Sequence, residues 1–134
     1  MNLTTALTAM LNANRTLDNA GYGVNADDGT LHVEIHEGGF TGCPEMTSPT
    51  PNYTLILGRV PAMTATSATS PASFLDFIGD MTDNSPAPST ATVKTLTSVV
   101  YSAGMYLTFD VSLTFPEGTI TGHLYAPHCP SLDG

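Results

Sequence analysis

Three runs near the end of the chain, 93–101, 105–115 and 119–126, read as strands and are separated by breaks at Ala103-Gly104 and Glu117-Gly118. No other stretch constrains the fold as tightly. In the middle run Met105, Leu107, Phe109, Val111, Leu113 and Phe115 fall on one side, with Tyr106, Thr108, Asp110, Ser112 and Thr114 on the other. A period of two places successive side chains on opposite faces of a strand, and two-residue breaks containing glycine join antiparallel neighbours. The expectation is a three-stranded meander with one buried face. A two-residue loop at Glu117-Gly118 opposes Phe115 to Ile120 and Val111 to Leu124, matching apolar to apolar, whereas a slip of one residue would turn the whole row to water.

The rest of the chain reads as mixed structure. Leu3, Leu7, Met10, Leu11 and Leu17 recur at spacings of three, four and seven, which predicts an amphipathic helix over residues 3–19. After the turn signal Asp27-Asp28-Gly29, Leu31, Val33 and Ile35 alternate with His32, Glu34 and His36, a half-buried strand. Residues 38–52 carry glycine and proline and read as a long loop, and residues 53–60 as a central strand apolar on both faces. Residues 62–70 and 83–89 are expected as loops. Ser70-Pro71 followed by Phe74, Leu75, Phe77 and Ile78 predicts a capped short helix. The expected fold class is therefore α+β, mainly β: one domain over 1–134, with an antiparallel sheet, an N-terminal amphipathic helix and one short middle helix.

Charge narrows the range of partners. Twelve acidic residues face only Arg15, Arg59 and Lys94, a formal net charge of −9 with 11% charged residues, against about 25% in an average domain. No basic cluster is present to neutralise phosphates or meet anionic lipid, which argues against nucleic-acid and membrane partners. The exterior must be covered by something neutral, and the chain supplies 21 Thr, 10 Ser and 10 Pro. Lysine and glutamate are depleted in protein interfaces because ordering and drying them is costly. A surface rich in threonine and poor in lysine suits burial against other protein subunits. The start of the sequence lacks the basic and apolar segments of a secretory signal, so synthesis in a cytoplasm is expected.

Candidate chemistry is sparse. His32, Glu34 and His36 project from one strand face, and two imidazoles with a carboxylate can bind zinc or a similar ion. Further ligands could come from His123, His128, Cys43 or Cys129. The two cysteines are compatible with free thiols, a disulfide or metal ligation, and with no export signal reduced thiols are the expectation. Asp27-Asp28-Gly29 fails as a calcium loop, because with Gly29 at its sixth position the first, third and twelfth would be Val24, Ala26 and Ile35. No phosphate-binding glycine loop, HExxH or GxSxG occurs. The chain is expected to be non-enzymatic, without a cofactor. Thr-x-Thr does not recur at strand intervals along the sequence, which sets ice binding aside.

Two resemblances follow from these features. The uncharged, threonine-rich composition with a β-meander and long neutral loops is similar to that of small structural proteins of tailed-phage virions, such as decoration or tail components. That resemblance implies a virion subunit, a homo-oligomer within a larger assembly. The element order, with an opening amphipathic helix, strands, Leu55-Ile-Leu-Gly-Arg-Val-Pro61, a helix around Phe74-Leu-Asp-Phe-Ile78 and then Gly104-Met-Tyr-Leu-Thr-Phe109, resembles that of type III secretion chaperones. Such a chaperone would be an acidic dimer that wraps an export substrate. A small metal-binding protein is the third expectation.

Overall fold

Alternation governs far more of the chain than its C-terminal third. A computed structural model describes residues 2–134; Met1, the first residue of the expected domain, lies outside the described residues. The strands in chain order are β1 (Ala6–Met10), β2 (Asn14–Leu17), β3 (Asn19–Val24), β4 (Leu31–Glu37), β5 (Tyr53–Val60), β6 (Ala65–Thr69), β7 (Ala72–Asp76), β8 (Ser89–Thr90), β9 (Val93–Ser102), β10 (Tyr106–Phe115) and β11 (Gly118–Pro127), followed by a single 3₁₀ turn at Pro130–Leu132. They form two antiparallel sheets, one ordered β2-β1-β11-β10-β9-β6 and the other β3-β4-β5-β7-β8. Inward side chains of both sheets make one core, with Leu7, Leu17, Leu31, Ile35, Leu55, Phe74, Leu96, Phe109 and Leu113 fully buried. This is a β-sandwich, and it corrects the α+β expectation.

Neither predicted helix forms. In β1 Leu7 and Ala9 are buried while Thr8 and Met10 face out, so the true period is two and the helical spacing of the leucines was coincidental. Ala9 is the residue that restores the alternation. Thr4, Thr5 and Thr8 are β-branched and favour extended backbone, and β11 supplies a partner, with Ala9 opposite Ile120. The middle helix is β7, which places Ala72, Phe74 and Asp76 inward against Leu57, Leu55 and Tyr53 of β5. Phe77 and Ile78, counted towards a helical stripe, lie in the loop beyond and are exposed. The expected loop over 62–70 contains edge strand β6, whereas 38–52 and 83–89 are irregular up to the first residue of β8, as expected.

The meander forms, with one correction to its register. Its second turn is Pro116–Glu117, so Phe115 meets Gly118, Leu113 meets Ile120 and Phe109 meets Leu124. The displacement is two residues, which preserves faces. Gly118 (φ 153°) belongs to the ladder because β1 passes beside it, and a Cβ there would collide with the Met10 carbonyl. In β9 the pairing steps from Thr108 opposite Val100 to Asp110 opposite Thr97, an irregularity centred on Ser98, whose φ of 53° marks a bulge.

Asp76 ends β7 and organises the turn after it. Its carboxylate is buried and accepts backbone N–H groups from Ile78, Gly79, Met81 and Thr82 at 2.6–3.1 Å. Burial pushes its pKa up, but the four donors outweigh that and hold it below the ordinary aspartate value. Removing the acceptor strands several N–H groups at once. Asp76→Ala is expected to cost at least about 3 kcal/mol of unfolding free energy, and Asp76→Asn less, since an amide keeps one acceptor oxygen; urea denaturation of both variants measures the difference.

Candidate functional site

The outer face of the five-stranded sheet is roofed, and two glycines make the roofing possible. On β3, Gly21 and Gly23 lie opposite Glu34 and His32. A Cβ on Gly21 would reach 2.6 Å from Cys129 Sγ, and one on Gly23 would collide with the Leu132 backbone. The C-terminal segment therefore lies directly on β3, fastened by Cys129 N–H to the Tyr22 carbonyl and Gly134 N–H to the Val24 carbonyl. Cys43 and Cys129 are joined in a disulfide across a separation of 86 residues, which corrects the reduced-thiol expectation. Closing a loop of that length stabilises by roughly 4–5 kcal/mol in the chain-entropy account. Such a bond persists in an oxidising setting.

The bridge holds loop 38–52 over the sheet. Asn19 Nδ2 donates to the Phe40 and Gly42 carbonyls, Asn52 N–H to the Glu37 carbonyl, and the Phe40 ring packs 4.8 Å from the ring of His36. Beneath it stand the three residues singled out on β4. His32 Nε2 lies 2.7 Å from Glu34 Oε2, and His36 Nδ1 lies 2.9 Å from Thr54 Oγ1. His36 Nε2 comes within 3.1 Å of Glu34 Oε1, yet the angle is not that of a hydrogen bond, and this buried nitrogen has no hydrogen-bond partner. The hydrogen bond with His32, followed by the approach of His36, lowers the Glu34 pKa from 4.5 to about 2 despite its burial.

Sequence reasoning thus found the row, and the structure brings its three members together. The other candidate ligands are elsewhere. His123 pairs with Asp110 and His128 with Asp133, and both cysteines are consumed by the disulfide. Among the described residues no group of three or more His, Cys, Asp and Glu side chains is arranged to hold a metal ion. Between roof and sheet lies a cleft of about 400 Å³ whose walls include Phe40, Pro44, Ile56, Leu75 and Phe77, with Glu34, His36 and Thr54 also lining it. A second recess of about 320 Å³ shares Glu34, Pro44 and Glu45. The roof, and with it the cleft, was hidden from sequence reasoning because it depends on Cys43 finding Cys129.

The opposite surface is the outer face of the six-stranded sheet. There Thr16, Thr8, Thr121, Ser112, Thr95 and Thr69 stand opposite one another on β2, β1, β11, β10, β9 and β6, and all six are exposed. They form a single hydroxyl row across the sheet. Both arginines are occupied elsewhere, Arg15 by Asp80 and Arg59 by Asp27 and Asp28.

The edges of the sheets differ. The outer edge of β3 is covered by the C-terminal segment, β8 has two residues, and β2 is short and carries Arg15. Edge strand β6, Ala-Thr-Ser-Ala-Thr, has no charge and no proline, and among the described residues it makes no hydrogen bond outside its ladder with β9.

Glu34 gives the site a pH signature. An unfolded glutamate protonates near 4.5 while the folded one holds its charge to about 2, so the stabilisation is complete above about 4.5 and is lost as pH falls toward about 2. Its size is on the order of 3 kcal/mol. Urea unfolding between pH 6 and pH 2.5 should show this loss in the wild type and a flatter dependence in Glu34→Gln. Comparison with known proteins returns no match: no family model, no curated protein and no solved structure is significantly similar to this chain.

Proposed function

We propose that this chain is a non-enzymatic assembly protein, built into a larger protein particle through the outer face and open edge of its six-stranded sheet. The observation that carries the reading is β6, an uncharged strand with an unpaired edge in a molecule whose other edges are covered, very short or charged. Natural proteins normally block such an edge with charge, proline or a covering segment, because it templates pairing with another chain. A second β6 added in antiparallel fashion would make a two-fold contact, the commonest closed symmetry. The hydroxyl row ends at Thr69 on the same strand, so one neighbour can bury both.

The row loses little on drying, since each hydroxyl can both donate and accept across the contact and no long charged chain must be ordered. Of particle types, a virion decoration or tail component is the one the composition resembles. The two segments that give the chaperone resemblance its helices are strands here, so that reading is not pursued. Ice binding is not favoured by the row either, because the right-handed twist of a sandwich sheet rotates successive strands by roughly 20° and carries the hydroxyls out of one plane.

Sedimentation across a concentration series tests the proposal. The wild type should associate, and Ser67→Lys on β6, or Thr121→Lys within the row, should weaken association by at least about tenfold, or 1.4 kcal/mol, while leaving the thermal midpoint within a few degrees. A wild type that stays monomeric at all concentrations and joins no particle in its native source overturns it.

A further inference from the structure

We infer that the cleft beneath loop 38–52 binds a small organic cation, a protonated amine carried on a flat apolar body. The polar end of the cleft is the carboxylate of Glu34, whose Oε1 lies 3.1 Å from His36 Nε2. Nδ1 of His36 faces Thr54 Oγ1 at 2.9 Å. An ammonium donates to the Glu34 carboxylate and places its charge against it.

Charge selects the sign of the ligand. Glu34 remains ionised through the physiological range, Glu45 stands exposed among the lining residues, and no lysine or arginine lines either recess. Against a net charge of −9, an anion would be repelled from the site and a cation drawn toward it. The walls select the body. Phe40 and Phe77 present aromatic surface, with Pro44, Ile56 and Leu75 beside them, and aromatic faces add attraction for a cation as well as apolar contact. Phe77 is 50% exposed, an apolar surface that a bound ring would cover. A volume of about 400 Å³ lies in the range of small-molecule pockets.

The roof gives the site a condition for existing. Loop 38–52 is held to the C-terminal segment by the disulfide, so the cleft belongs to the oxidised protein. This inference is independent of assembly through the other sheet.

The test is a titration with benzylammonium, benzyl alcohol and benzoate, which share a ring and differ in charge, followed by NMR at the His36 ring and the Thr54 and Phe77 amides. Benzylammonium should give saturable shifts at all three positions, benzyl alcohol should bind at least about tenfold more weakly, and benzoate should give none. Glu34→Gln should weaken benzylammonium by about tenfold and Glu45→Gln by about twofold to threefold. Reduction of the disulfide should abolish the saturable response. Equal binding of the charged and neutral probes, an unchanged affinity in Glu34→Gln, or no saturation up to about 50 mM overturns the assignment. If Glu34→Gln does not fold, the ranking of the three probes on the wild type and the Glu45→Gln variant still decide it.

Discussion

The bond between Cys43 and Cys129 is the constraint on which the arrangement of both surfaces turns. It joins the longest loop to the C-terminal segment, and it can do so only because Gly21 and Gly23 carry no side chains where that segment crosses β3. The same segment covers the edge of β3 and anchors the roof over the His32, Glu34 and His36 row. One covalent link therefore closes an edge and creates a cleft. The open edge at β6 lies in the other sheet, so the molecule keeps its unpaired edge and its roofed cleft apart.

Charge is partitioned in keeping with that division. The two arginines are engaged with aspartates, and on the outer face of the six-stranded sheet Asp110 meets His123. The hydroxyl row beside it is neutral. On the roofed side the carboxylate of Glu34 is held ionised by two imidazoles, and the exposed Glu45 adds to the negative field there. An acidic protein of this kind resists indiscriminate association by net repulsion, and contact is then favoured where charge is sparse.

Much of the fold was legible wherever a run alternated for six or more residues. The row on β10 from Leu107 to Phe115, and Leu31, Val33 and Ile35 on β4, could be placed from pattern alone because a buried face demands it. Short strands were not legible. Residues 6–10 of β1 present only Leu7 and Ala9 to the core, and five residues of β7 present Ala72, Phe74 and Asp76, one of them an acid. Helical spacing could be found in both because neighbouring apolar residues, Leu3, Leu11, Phe77 and Ile78, lie outside the strands. The row of His32, Glu34 and His36 was visible, being local in sequence. The hydroxyl row was not, since its six members come from six strands joined by connections of unequal length, and no period in the chain records it.

The bulge at Ser98 acts as a phase shifter for β9. Below it Thr95 and Thr97 face outward and Leu96 inward; simple alternation would carry Val99 to the outside and Val100 to the core. Two residues occupying the place of one reverse that assignment, so Val99 is 1% exposed and Val100 lies at the surface. The inserted position thus decides which valine is seen by a neighbour and which by the interior. Straightening the strand with every residue kept would exchange the two and change the exposed surface without any change of composition.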